Sequence, residues 1–227
     1  MTYFGFLLRF LVIPIVILLG VTYWNQRRGR KRAQVLSSTP AWVAIAIHVL
    51  IALVYTTPWD NYLVATGVWW YDPALVTGIV IGWVPIEEYT FFVLQPILVG
   101  LWLVLLSQIL EFTAKPLRAS LRWWAPALMG VLWVASVVIL FSGKQASTYM
   151  ALLLVWALPP LMLQVAFGAD ILWRYRRIVF LSIVPLTLYL ITADALAISF
   201  GTWTIDPAQS FNIFIAGTLP IEEFAFF

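Results

Sequence analysis

Two pairs of adjacent glutamates stand inside apolar sequence: Glu87 and Glu88 in VPIEEYTFF, residues 84–92, and Glu222 and Glu223 in LPIEEFAFF, residues 219–227. A carboxylate in hydrocarbon is costly enough that it tends to take up a proton, and a second carboxylate beside it strengthens that tendency. At neutral pH at least one glutamate of each pair is expected as the neutral acid. It is then a general acid, and its neighbour or its own conjugate base can accept a proton later. Pro85 and Pro220 stand two residues ahead of the first glutamate, the place for a helix start, whose free amides would stabilise whichever carboxylate is transiently formed. Phe91 and Phe92 lie four residues beyond Glu87 and Glu88, and Phe226 and Phe227 repeat the spacing after Glu222 and Glu223. An acid beside an aromatic wall suits protonation of an alkene and sheltering of the resulting carbocation. The rings also suit plain apolar filling, and the glutamates suit hydrogen-bonded glue between helices.

The elements that carry these residues are membrane helices. Of 227 residues, 63% are hydrophobic and 10% charged, whereas soluble domains carry about a quarter charged residues. Apolar runs near the ~20 residues needed to cross a bilayer recur along the chain, at about 3–24, 41–57, 74–107, 122–141, 147–169, 178–200 and 208 to the end. The expectation is an all-α integral membrane protein of seven helices. The first run is too long for a signal-peptide core and has its basic cluster after it, so it reads as a retained span. The third run is too long for one straight span. Either Pro85 and Pro96 kink it, or residues 74–84 form a re-entrant or interfacial piece.

Of 13 basic residues, 11 fall in three clusters: Arg27, Arg28, Arg30, Lys31 and Arg32; Lys115, Arg118 and Arg122; Arg174, Arg176 and Arg177. Such clusters mark cytoplasmic loops. They put the amino terminus outside, with the segments carrying Asp60 and Asp72, Lys144, and Asp194 and Asp206 on the outer face. Anionic lipid explains the basic runs better than nucleic acid does, and no nucleic-acid partner is expected. The chain has no cysteine, which excludes disulfides, thiolate metal sites and cysteine nucleophiles. No metal site and no GxGxxG dinucleotide fingerprint is evident; dependence on a soluble redox cofactor stays open.

The glutamate motifs belong to a duplication. Tyr3 through Pro14 matches Tyr149 through Pro160, and Asp60 through Pro73 matches Asp194 through Pro207, pairing Gly67 with Gly201, Trp69 with Trp203 and Asp72 with Asp206. With one inserted residue, Pro85, Glu87 and Glu88 then meet Pro220, Glu222 and Glu223. The division expected is a first repeat at 1–112, a linker with an extra helix at 113–146, and a second repeat at 147–227, whose last helix is expected to be incomplete. The odd linking helix restores the direction of the second unit, giving parallel repeats. Two equivalent halves suit a substrate with two equivalent ends. Asp72 and Asp206 precede prolines and are expected to set turns. Arg9 either snorkels or pairs with a glutamate, and His48 either relays protons or packs.

Two Pro-Xaa-Glu-Glu motifs in a duplicated three-helix unit resemble the membrane lycopene cyclases of bacteria, archaea and fungi. The resemblance covers nearly the whole chain. It implies Glu87, Glu88, Glu222 and Glu223 as essential acids supported by Pro85 and Pro220, and lycopene as the substrate, closed at both ends to β-rings by protonation, cyclisation and proton loss. Its partners would then be a lipophilic polyene and membrane lipid; a homo-oligomer and other carotenoid enzymes stay open. Cyclisation of other carotenoids, to ε- or γ-rings or at C50, and proton-coupled transport are the competing functions.

Overall fold

The computed structural model describes residues 1–33, 38–111 and 116–227. Lys115, of the second basic cluster, lies outside them. Among the described residues the chain is an all-α membrane fold with seven helices: α1 Tyr3–Arg27, α2 Ala41–Ala65, α3 Ile86–Ile109, α4 Leu121–Phe141, α5 Thr148–Arg174, α6 Arg176–Ser199 and the short α7 Ile221–Phe226. Six of them are long and apolar enough to cross a membrane. Their outward faces carry large uncovered apolar side chains such as Val16, Leu50, Val131 and Phe180, the pattern of helices solvated by lipid.

The backbone falls into two compact units. The first comprises Met1–Phe112 and Leu181–Thr204, and the second Thr113–Phe180 and Ile205–Phe227. In the first, α3 packs against α1 and α2, and α6, from Leu181 onward, is bonded to α1 and α3. Thr2 caps α1, its Oγ1 accepting from Gly5 N at 3.2 Å, and a π-helical turn spans Leu8–Val12. In the second, α4 and α5 pack along one another, joined at one end by Arg122 Nε donating to Asp170 Oδ1 at 2.6 Å.

Prolines inside helices explain part of the packing. A proline cannot donate to the carbonyl four residues earlier, and in hydrocarbon that carbonyl must find another donor. Pro14 frees the Phe10 carbonyl, which accepts from Tyr189 Oη at 3.1 Å. Pro185 frees Leu181, which accepts from Trp102 Nε1 at 2.9 Å. In the second unit Pro159 frees Val155, which accepts from Trp133 Nε1 at 3.1 Å. Each donor comes from a neighbouring helix, so each proline ties one helix pair together.

Two expected spans differ from the structure. Residues 74–84 are not part of a helix, which excludes the kinked long span and leaves the alternative of a separate non-helical piece: α3 starts at Ile86, after a hairpin of β1 (Val80–Ile81) and β2 (Val84–Pro85). Residues 208–220 likewise hold a loop and the hairpin of β3 (Phe214–Ile215) and β4 (Leu219–Pro220) before α7. Both segments are apolar enough to read as helix, but positive φ at Gly78 and Gly82, and at Asn212, Ala216 and Gly217, turns the chain back on itself. Asp60 is also misplaced by the sequence: the helix runs past the expected end of its span at 57, so Asp60 sits within α2 and not in a loop, while Asp194 lies within α6 inside the expected 178–200 span. Both are buried, because their side chains point to protein and not to lipid.

Candidate active site

Each glutamate pair is placed by the same local construction. An Asx turn opens it: Asp72 Oδ1 accepts from Ala74 N at 2.9 Å, and Asp206 Oδ1 from Ala208 N at 3.0 Å, the turn role the sequence suggests for these acids. The loop then meets the start of a long helix, Tyr3 N donating to Leu75 O at 2.8 Å and Tyr149 N to Gln209 O at 3.0 Å. A hairpin follows and delivers Pro85, or Pro220, as the N-cap of the next helix, in extended conformation. The helix start is tied back over the hairpin by Ile86 N to Ile79 O and Ile221 N to Ile213 O, both 2.9 Å. In the first copy Asn61 fixes the hairpin tip by accepting from Trp83 N at 2.8 Å.

The glutamates therefore occupy the second and third residues of a helix, where free backbone amides favour negative charge. Neighbouring positions point about 100° apart, and the two carboxyls of each pair have different surroundings. Glu87 and Glu222 are fully buried. Glu87 Oε1 accepts from Thr77 N at 2.7 Å and Glu222 Oε1 from Phe211 N at 2.7 Å, so each clips the preceding loop to its helix. The second oxygen of each, Oε2, is buried and has no partner among the described residues.

Glu88 turns to phenols. Its Oε2 accepts from the Tyr3 hydroxyl in a short bond and from Tyr71 Oη at 3.0 Å. Glu223 Oε1 accepts from Tyr149 Oη at 2.5 Å. The arrangement can divide acid and base chemistry within a pair. Two O–H donors converging on one oxygen suit a carboxylate, which only accepts; an oxygen with no protein acceptor suits a carboxyl O–H that waits for a substrate.

Around Tyr3 the first unit gathers further groups. Tyr71 stacks on it with ring centroids 5.9 Å apart, and Trp203 lies at 5.1 Å. Asp60 and Asp194 lie within electrostatic reach of Tyr3. Asp60 also faces Glu88 and the Trp69 indole, and Asp194 accepts from Trp203 Nε1 at 3.0 Å. Phe91 and Phe92 are buried against each other, and Phe92 also against Tyr89. Phe226 stacks on Trp156 and meets Phe227 edge-on. Arg9 donates to Met1 Sδ at 3.1 Å and not to a glutamate, and exposed His48 bonds the Ala44 carbonyl of its own helix.

The four glutamates are buried at helix starts preceded by Pro85 and Pro220, as their sequence suggests; the sequence does not single out Tyr3, Tyr71, Tyr149, Asp60, Asp194 and Trp203 as their neighbours. The available signal is the repeat itself, which pairs Tyr3 with Tyr149, Asp60 with Asp194 and Trp69 with Trp203.

The chain matches the family model described as lycopene cyclase over residues 10–106 and 146–227. A lycopene beta-cyclase of Halobacterium salinarum is 38% identical over 226 residues, covering 94% of this chain and 85% of that protein. A bifunctional lycopene cyclase/phytoene synthase of Sporisorium reilianum is 35% identical over 193 residues, covering 78% of this chain and 27% of that protein. One from Gibberella fujikuroi is 32% identical over 187 residues, covering 79% and 31%. No solved structure matches the chain. With the family model matching along most of its length, and a 38% identical relative of similar size, this chain belongs to the lycopene cyclase family.

Proposed function

We propose that the protein is a lycopene β-cyclase, an isomerase that closes both ψ-ends of lycopene to β-rings. The observation that carries the reading is the division of labour within each buried pair, made twice: one glutamate with an oxygen that no described protein group satisfies, its neighbour bonded to tyrosine. The family membership and the H. salinarum relative supply the substrate class.

In this reading Glu87 and Glu222 are the acids. The O–H on Oε2 has no acceptor among the described residues, so the π electrons of the terminal double bond are the base it meets. Proton transfer to that alkene forms a tertiary cation, the next double bond attacks it to close a six-membered ring, and a ring proton leaves to restore neutrality. Glu88 and Glu223 are the bases that take that proton. The tyrosine hydroxyls hold each base carboxylate in place, and return of the proton from base to acid resets the pair. Nothing is oxidised or reduced, and atoms and charge balance over the cycle.

Each pair has its own loop clip and its own tyrosine inside its own unit, which supports one site per ψ-end, with γ-carotene as the intermediate. The repeats are taken as 1–112 and 147–227, joined by 113–146. Pro85 and Pro220 act by starting the helices that carry the acids, and Phe91, Phe92, Phe226 and Phe227 are assigned to the apolar wall behind them. The basic clusters are cytoplasmic and the amino terminus is outside. The chain has no native cysteine, so single cysteines at Arg30 and Gln145 report sidedness directly: an impermeant thiol reagent added outside intact cells should label only the second.

The deciding experiment is expression in a lycopene-making host with chromatographic separation of the carotenoids. β-Carotene supports the reading. Unchanged lycopene, with proton-gradient-dependent uptake of some solute, would move the chain to transport; ε- or γ-rings would keep the acid chemistry and change the group that removes the proton.

A further inference from the structure

Asp194 and Trp203 have no part in the mechanism above, yet they are built into the first site. Asp194 is 2% exposed, although a carboxylate in an apolar helix is costly unless it serves something. What it holds is an indole: Trp203 Nε1 donates to its Oδ1 at 3.0 Å. The Trp203 ring lies 5.1 Å from the Tyr3 ring at 51°, and meets Phe6 edge-on at 5.1 Å and 86°. Tyr3 in turn donates to Glu88. One edge of the indole is thus pinned by a carboxylate and its flank is fixed by Tyr3 and Phe6, while Trp203 remains only half-buried.

Among side chains indole has the strongest attraction for a cation over its face, and a carboxylate accepting from its N–H adds electron density to the ring. The repeat equivalent is built differently. Trp69 also faces an aspartate, Asp60, but it is buried and packed edge-on against Trp59 at 5.5 Å. Of the two, Trp203 is the indole with surface left to offer.

We propose that Trp203 stabilises the carbocation formed at the Glu87–Glu88 site, and that Asp194 is a positioning residue that orients the ring through its N–H. The inference rests on the acid reading of the glutamates. No bond forms to Trp203: the proton arrives from one glutamate and leaves to the other, and the ring acts only while the substrate carries the charge. Its effect therefore falls on turnover and not on substrate binding.

The test uses membranes containing the full chain, supplied with lycopene, with folded protein quantified for each variant. Trp203→Leu should lower kcat for the first-site closure about 3- to 30-fold, the range of a partly desolvated cation–π contact, with KM within about twofold. Trp203→Phe should recover most of the loss. Asp194→Leu should slow the Trp203 enzyme by a smaller factor and have no further effect in the Trp203→Phe background, where there is no N–H to orient. Wild-type kcat in Trp203→Leu, a change confined to KM, or an equal cost of Asp194→Leu in both backgrounds overturns the proposal. Should Trp203→Leu fail to accumulate, the double-mutant cycle of Trp203→Phe with Asp194→Leu decides alone. Glu87→Gln run in parallel separates the two readings: loss there with normal Trp203→Leu removes only this inference, whereas activity in Glu87→Gln removes the acid reading beneath it.

Discussion

Replacing Glu87 by Gln isolates its proton from its other duty. The amide keeps an oxygen where Oε1 accepts from Thr77 N at 2.7 Å, so the clip between loop and helix survives. The NH2 group takes the place of Oε2, which has no partner to lose among the described residues, and the stability change should stay within about 1 kcal/mol. What disappears is the transferable proton. A positioned general acid contributes about 10²- to 10⁴-fold in rate, equivalent to about 3–5 kcal/mol of barrier. Glu87→Gln should therefore express and insert normally while first-site closure falls by at least about a hundredfold. In a lycopene-making host the single variant should accumulate the monocyclic intermediate, and Glu87→Gln/Glu222→Gln should accumulate lycopene. Glu87→Leu separates the duties from the other side: it also breaks the bond to Thr77 and should lose about 1–3 kcal/mol of stability. Normal bicyclic product from the double glutamine variant would remove these glutamates from the mechanism. Lycopene alone from the single variant would mean that both motifs serve one site.

The tyrosine bonds are tested by removing the hydroxyls. Tyr3→Phe leaves Tyr71 on Glu88, and Tyr149→Phe takes the Tyr149 hydroxyl from Glu223. A hydrogen bond to a charged group contributes about 1.5–3 kcal/mol, so Tyr149→Phe should slow its own closure roughly tenfold, and Tyr3→Phe/Tyr71→Phe should slow the first closure more than Tyr3→Phe alone, read as the ratio of monocyclic to bicyclic product; wild-type ratios in all of these variants would count against the tyrosines as holders of the base. Trp102→Phe removes the donor to the Leu181 carbonyl that Pro185 leaves free. It should cost about 1–3 kcal/mol in detergent unfolding, and much less in a Pro185→Ala background where the backbone N–H returns; an equal cost in both would refute the link between proline and donor. Gly82→Ala meets a φ of +67° and puts Cβ 2.2 Å from the Asn61 oxygen that holds Trp83, while at Gly217 the φ is +75° with open space. Gly82→Ala should lose about 2–4 kcal/mol and Gly217→Ala about 1–2, with the opposite order refuting the role of Asn61 at the hairpin.

Hydropathy reads the long helices because the lipid-facing stripe of each is apolar whatever its inner face does. It fails where composition and conformation part. Residues 74–84 are as apolar as a span, with Ile79, Val80, Ile81 and Trp83 all uncovered on the first hairpin, and only the glycines mark its turns; in residues 208–220 Asn212, Ala216 and Gly217 turn the chain. It fails again at Asp60. A charge at the edge of an apolar run reads as a loop, but α2 continues to Ala65 with that carboxyl 1% exposed. The acids are legible because a repeated buried charge needs a reason that local sequence already supplies. Their partners are not, since Tyr3 lies 85 residues from Glu88 and Tyr149 lies 74 from Glu223, and only the folded helices bring each hydroxyl to its carboxyl.

The spacing of the motif now has a physical reason. Were the two glutamates three or four residues apart, a helix would set them on one face, where they would share partners and act as a single coupled dyad. Adjacent, they diverge by about 100°. Glu87 reaches back to the loop that its own hairpin folds over, and Glu88 reaches across to α1 and to Tyr71. Proline immediately before Ile86 fixes where that divergence begins, because as N-cap it sets the first turn and with it the direction of both carboxyls. A cyclisation that must give one proton and take back a different one needs an acid and a base that are close together yet differently held. Under the proposed reading, two consecutive residues in the first turn of a proline-started helix meet that need, and the second motif repeats the hydrogen bonds with Phe211 and Tyr149 in the places of Thr77 and Tyr3.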